Sequence, residues 1–255
     1  MDIHSLLRRA ALPAALCLLV PDAFAAERVD DATRYAECMA QARKNPEQAF
    51  ETALGWQSLG GGDPAQHCIA AALMSLKIYH EAATRFESLA QKTKKGDKVR
   101  AGLLAQAAQG WLLAGQADRA DGVLAAALKL TPDDPDLLID RADARAQLGR
   151  FDESVKDLER AVEIDPKRPD AYAFMASALR QGDHPKEAAA AAEKALALDP
   201  EHVEALLERG MLRRMAGDDP GARRDWLTVL HRAPSTAAAD VARANLEKMD
   251  VKQPK

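Results

Sequence analysis

The sequence predicts an all-α fold built from repeated helix pairs, and three observations carry that expectation. First, 54 of the 255 residues are alanine and 31 are leucine, whereas valine, isoleucine and threonine together number 22. Alanine and leucine head the helix-propensity ranking, and strands draw on β-branched and aromatic residues. Second, Pro132, Pro166, Pro200 and Pro234 recur every 34 residues in matching contexts, such as Ile164-Asp165-Pro166 and Leu198-Asp199-Pro200. Third, small residues keep the same interval: Ala120, Ser154, Ala188 and Ala222 form one series, and Ala127, Ala161 and Ala195 another. Gly115, Gly149 and Gly217 follow it too, with Gly182 one place out of step. A fixed period of this length is the mark of a solenoid. Alanines let helix axes approach, a glycine ends the first helix, and proline disfavours helical geometry at the residue before it.

This pattern resembles the tetratricopeptide repeat. The resemblance implies two antiparallel helices per repeat, small residues where they touch, a closing proline, and a right-handed superhelical solenoid. Taken in order, residues 1–25 stand apart from it. Arg8 and Arg9 precede an apolar run from Ala10 to Val20, and Ala23-Phe24-Ala25 gives the A-x-A order of a secretory signal. Cleavage is expected before Ala26, placing the mature chain in the periplasm or outside the cell. An uncleaved anchor is the rival reading, but the run is well short of the ~20 residues that span a bilayer, so no stable membrane insertion is expected after cleavage.

Two degenerate helix pairs follow, at 30–62 and 63–96. In the first, Asn45-Pro46-Glu47-Gln48-Ala49 parallels His184-Pro185-Lys186-Glu187-Ala188, and Gly60-Gly61-Gly62 replaces the closing proline. In the second, Tyr79, Ala82, Ala83 and Phe86 keep the expected order, and the extra residues Asp97 to Arg100 lengthen the next connection. Four clear repeats occupy 101–134, 135–168, 169–202 and 203–236. Residues 237–255 form a capping helix, with Val241, Ala242, Leu246 and Met249 on one side, and a tail; an uncapped solenoid would expose an apolar face.

Composition narrows the function. A net charge of −4 argues against a general nucleic-acid binder, and 4% aromatics argue against a stacking platform for bases or sugars. No phosphate loop, HExxH, GxSxG or CxxC is present. His67, Cys68, His80 and Cys38 lack the short paired spacing of structural zinc sites, so neither metal nor cofactor is expected. The resemblance implies protein-interaction work rather than catalysis: a scaffold or adaptor that takes a partner segment in its concave face. An envelope-assembly factor contacting peptidoglycan or outer-membrane components is the alternative. The lysines and asparagines with which one subgroup of the family grips carboxylate tails are missing, their places held by Ala105, Gln109, Asp140, Asp170 and Phe174.

Projecting the register inward places Asp136, Asp140, Asp143, Asp170, Glu204 and Glu208 on that face. Ile139, Phe174, Leu207, Met211 and Met215 fall among them as apolar anchors, and Arg180 and Arg214 offset the charge at one edge. Asp136, Asp170 and Glu204 also suit the helix dipole, being early in their helices; Asp143, deeper in, does not. A partner carrying Lys or Arg beside an apolar residue is therefore expected. Arg141 and Arg209 are assigned to contacts between helices, while Glu153 with Lys156 and Asp157 with Arg160 read as helix-surface pairs. The run Lys92, Lys94, Lys95, Lys98 and Arg100 reads as a solvated connection, or as a contact for an acidic partner. Cys38 and Cys68 fall on neighbouring first helices and form an even pair in an exported chain, which favours a disulfide over two free thiols.

Overall fold

The computed structural model describes residues 31–251, so the expected signal peptide at 1–25 and the tail from residue 252 lie outside the described residues. Among the described residues there are thirteen helices and no strand. The pairs are α1 (Asp31–Lys44) and α2 (Pro46–Ser58), α3 (Gly62–Ser75) and α4 (Tyr79–Lys92), and α5 (Asp97–Leu113) and α6 (Ala117–Leu130). They continue with α7 (Pro135–Gln147) and α8 (Phe151–Ile164), α9 (Pro169–Gln181) and α10 (Pro185–Leu198), and α11 (Val203–Met215) and α12 (Asp219–Arg232). A last helix, α13 (Ala237–Val251), lies against α12 and α11 and buries Ala239, Ala242, Leu246 and Met249. Val241, expected on that apolar side, is instead 42% exposed.

First helices touch along the array: α1 meets α3, α5 meets α7, α7 meets α9 and α9 meets α11. Second helices make no comparable contacts with one another. The array therefore curves with its first helices on the inner, concave side. Second helices of the regular repeats end two residues before each repeat proline, at Leu130, Ile164, Leu198 and Arg232.

The turn within each pair shows how strictly the period holds. Gly115, Gly149 and Gly217 have φ of 72°, 74° and 85°, in the left-handed region that glycine enters without strain. In 169–202 the left-handed residue is Asp183, at 64°, which keeps the 34-residue register that Gly182 misses. The conformation is periodic even where the residue is not.

Apolar packing runs along the array in several clusters rich in alanine, with Trp111, Trp226, Phe86, Leu124 and Leu158 among the largest fully buried side chains. The three tryptophans are spread along the array: Trp56 in the first pair, Trp111 under the Arg119 guanidinium, and Trp226 donating to the Leu207 carbonyl at 3.3 Å.

Two junctions depart from apolar packing and correct an expectation. Asp157 is not a surface residue paired with Arg160; it is 5% exposed and lies between α8 and α7. Arg141 donates to it at 2.9 and 2.6 Å and Arg145 at 2.8 Å. Arg160 turns to Asp133 and Glu163, and Glu153 faces Arg145 at 3.7 Å rather than Lys156. The arrangement recurs 68 residues on, where Arg209 and Arg213 hold the buried Asp225. Arg141 and Arg209 thus occupy the inter-helix role expected of them.

Candidate functional site

The concave face between α7 and α11 is assembled from the inner residues of three successive first helices. Asp134 caps α7, accepting from the Asp136 and Leu137 backbone N–H groups, and Pro135 opens the helix with its φ already suited to the first turn. Asp136, Asp140 and Asp143 then follow at spacings of four and three, which stacks them on one helix face. From α9 come Asp170, Phe174, Ser177 and Gln181; from α11 come Glu204, Leu207, Glu208 and Met211.

Most of this acidity is neutralised from within. Arg168, absent from the sequence reading, donates to Asp170 at 2.9 and 2.6 Å and to Asp136 at 2.7 Å. Both carboxylates also sit in first turns, where the helix dipole favours them. Glu208 is buried and held by both ends of the Arg180 guanidinium, at 2.6 and 3.2 Å. Arg180 is therefore spent on Glu208 rather than standing free at an edge, and Arg214 pairs with Asp219. His202 lies 3.6 Å from Glu204, and its Nδ1 accepts from the Ala205 backbone N–H. Asp140, Asp143 and Glu204 remain without a cation among the described residues.

Asp140 and Asp143 are set apart further by their surroundings. The Asp140 carboxyl is pushed up from 3.8 to about 6. Desolvation by the groove walls is the largest cause, followed by repulsion from Asp136, Asp143 and Asp134, with Arg168 opposing. Its side chain is open to the groove, yet the concave walls take away much of its bulk water. Burial raises Asp143 as well, against a hydrogen bond from Gln147 at 3.2 Å. Two carboxylates without a counter-ion, the first crowded by neighbouring acids, are negative charge that an incoming cation would relieve.

Phe174 stands beside them, 40% exposed, and forms part of two hollows. One, of about 320 Å³, reaches Glu204 and Leu207; the other, of about 190 Å³, reaches Asp143, Gln147 and Gln181. Ser177 is common to both. Of the other expected anchors, Ile139 is 6% exposed and belongs to the buried apolar core rather than the groove. Leu207, 9% exposed, is floor rather than anchor; Met211 is half-buried and Met215 is open.

The residues weighed as a metal set are engaged elsewhere. His67 faces the Tyr35 hydroxyl at 3.0 Å, His80 packs edge-on against Trp111, and Cys38 and Cys68 lie side by side with Cα atoms 6.2 Å apart. No group of three or more His, Cys, Asp or Glu able to hold a metal occurs among the described residues, and no helix there is long and apolar enough to cross a membrane.

With stacked helix pairs and a concave inner face in place, the class is defined, and comparison agrees: two tetratricopeptide-repeat family models match residues 114–179 and 173–238. The chain is a tetratricopeptide-repeat protein. Among solved structures it is similar to MamA (41-end) from Desulfovibrio magneticus RS-1, at 19% identity and a TM-score of 0.57, covering 69% of this chain and 97% of that one. It is also similar to a chain of the APC/C hetero-tetramer Cut9-Hcn1, at 14% identity and a TM-score of 0.64, covering 84% of this chain and 42% of that one. At these identities the likeness is one of fold. No curated protein matches the chain in sequence.

Proposed function

We propose that the protein is a non-enzymatic interaction scaffold whose concave face takes a partner segment carrying Lys or Arg beside an apolar residue. The observation that carries this reading is the pair Asp140 and Asp143, left without a counter-ion beside the open ring of Phe174 while Asp136, Asp170 and Glu208 are each neutralised by an arginine. A cation on the partner meets two desolvated carboxylates, and an apolar neighbour meets Phe174 and the adjoining hollows. Family membership supports a protein partner, since stacked repeats present extended concave surfaces of this kind. Negative potential focused in a cleft also speeds the encounter, to a degree that falls as salt rises.

The test is binding of synthetic peptides that pair Lys or Arg with Phe or Leu, followed by fluorescence anisotropy at several salt concentrations. Reversing charge with Asp140→Lys and Asp143→Lys is expected to weaken binding at low salt by at least about tenfold, ~1.4 kcal/mol, with the helical circular dichroism unchanged. Equal affinity in parent and double variant, with no salt dependence in the parent, would remove the groove from the account.

The scaffold is proposed to work in the periplasm or outside the cell, after cleavage before Ala26. In that oxidising setting Cys38 and Cys68 form a disulfide joining α1 to α3; their Cα separation of 6.2 Å suits one. Closing this loop contributes about 3–4 kcal/mol in the chain-entropy account. Protein recovered from the envelope fraction should have a mass that begins at Ala26 and show no reactive thiol after denaturation without reductant. Two reactive thiols would end the disulfide proposal.

A further inference from the structure

A third hollow lies at the other end of the concave face, away from the acidic groove. α5 has 17 residues where α7, α9 and α11 have 13 each, because Asp97 to Arg100 add a turn at its start. α3 and α5 touch less than any other successive pair of first helices. Between them opens a cavity of about 460 Å³, in the size range of pockets that enclose small organic groups. Pro64, Leu89, Val99 and Leu103 give it aliphatic walls, and Tyr35 and His67 an aromatic one.

The polar groups divide into those already satisfied and those left over. Thr93 donates to Asp63 at 2.5 Å, and the Tyr35 hydroxyl and His67 Nδ1 engage each other at 3.0 Å. Burial, chiefly, lowers the His67 pKa, opposed by a hydrogen bond with Gln106 and aided by Lys95, which favours the neutral ring. Tyr35, His67 and Phe86 form an edge-to-face series, with centroids 5.7 and 5.4 Å apart. Gln106 donates to the Gly102 carbonyl at 3.4 Å and also lies within reach of His67. Lys95 is exposed at the mouth and has no ion-pair partner among the described residues.

Gly102 is the telling residue. It lies inside α5, where glycine is a poor helix former, and its φ is not left-handed. A Cβ built there would meet nothing within 4 Å, so packing does not call for glycine either. At the same register the next three repeats carry Asp136, Asp170 and Glu204. What the glycine does is keep one wall of the cavity open and uncharged.

We propose that this cavity binds an aromatic side chain of tryptophan or tyrosine type, presented by a protein partner. Flat aliphatic walls cover the ring faces, Tyr35 and His67 continue the edge-to-face series, and Lys95 supplies a cation–π contact. Gln106, which lines the cavity beside His67, meets the polar N–H or O–H that such side chains carry. The site uses different helices from the acidic groove and stands or falls without it.

The test titrates the ¹⁵N-labelled chain with N-acetyl-tryptophanamide, N-acetyl-tyrosinamide and N-acetyl-leucinamide. The aromatic amides are expected to give saturable shifts at His67, Gly102 and Gln106, and the leucine amide to bind at least fivefold more weakly. Gly102→Leu places a side chain in the cavity without a clash at Cβ, so it should abolish binding while Tm stays level or rises. Lys95→Ala, on an exposed connection, should weaken the aromatic amides several-fold at unchanged Tm, and it keeps the test decisive should the leucine variant fail to fold. Absence of saturable shifts, equal affinity for the leucine amide, or unaltered binding in both variants would overturn the proposal.

Discussion

Repeats 135–168 and 203–236 join their two helices through charge, whereas 101–134 and 169–202 join theirs through apolar atoms. Where the first kind places Arg141, Arg145 and Asp157, or Arg209, Arg213 and Asp225, the second places Ala107, Trp111 and Val123, or Met175, Leu179 and Ala191. The second helices have 14 residues in both kinds, and each turn carries its left-handed residue at the same register. A buried ion triad and an apolar plug are therefore interchangeable solutions to one packing problem. They differ in how they fail: an apolar plug loses contacts when trimmed, while a triad that loses one member strands the others in a place short of water.

That difference can be broken open by removing a single member. Asp157→Ala should cost about 3 kcal/mol in urea melts, because Arg141 loses its one carboxylate partner at the junction, while Arg145 keeps Asp121 at 3.0 Å and Glu153 at 3.7 Å. A loss below ~0.5 kcal/mol would return Asp157 to the surface, where its spacing to Arg160 first placed it. The neighbouring Leu158→Ala, from a side chain with 0% exposure, should cost about 2–5 kcal/mol through the cavity it leaves. Exchanging the whole triad sharpens the contrast. Arg141→Met, Arg145→Leu and Asp157→Ala together reproduce the junction of 169–202, and the triple variant should lie within about 1 kcal/mol of the parent or above it. Asp121 keeps a partner there, since Arg150 donates to it at 3.0 Å. A triple variant as unstable as Asp157→Ala alone would show that the two kinds of repeat are not equivalent.

The smallest effect belongs to the groove. Asp140 titrates near 6 in the folded chain against 3.8 ordinarily, so between those values the folded state holds more protons than the unfolded one. Its ionisation is destabilising, absent below about pH 4 and complete above about pH 6. Stability should fall as pH rises through that window, and Asp140→Asn should flatten this slope in urea melts at pH 4, 5, 6 and 7. Affinity for a basic peptide should move the other way, weakening as Asp140 is protonated below about pH 6.

The period and the helix pairs were legible in the sequence, because each depends on spacing along one chain. Charge compensation was not. Asp157 and Arg160 have the spacing of a surface pair, and that spacing is identical whether the carboxylate meets water or the preceding helix. Arg168 stands in a connection, outside the helical spacing that marks the groove, yet it neutralises two of the six inner acids. A signal for the triads did exist: Arg141, Arg145 and Asp157 return together as Arg209, Arg213 and Asp225. Ile139 was misplaced for a related reason, as a one-residue difference on a helix turns a side chain by ~100° and carries it from groove to core.

The placement of the three tryptophans has an optical consequence. Trp56, Trp111 and Trp226 are 5%, 0% and 2% exposed and report from the first, third and sixth helix pairs. Their local fields differ: Trp111 has the Arg119 cation 3.6 Å from its ring centroid and donates its N–H to Glu87, whereas Trp226 donates to an uncharged carbonyl. Each indole therefore has its own emission in the native state and reddens only when its own stretch of the array admits water. Contacts in a solenoid join neighbours alone, so the three colour changes need not coincide. Single-tryptophan versions of the chain turn fluorescence into a map of where along its length the protein opens first.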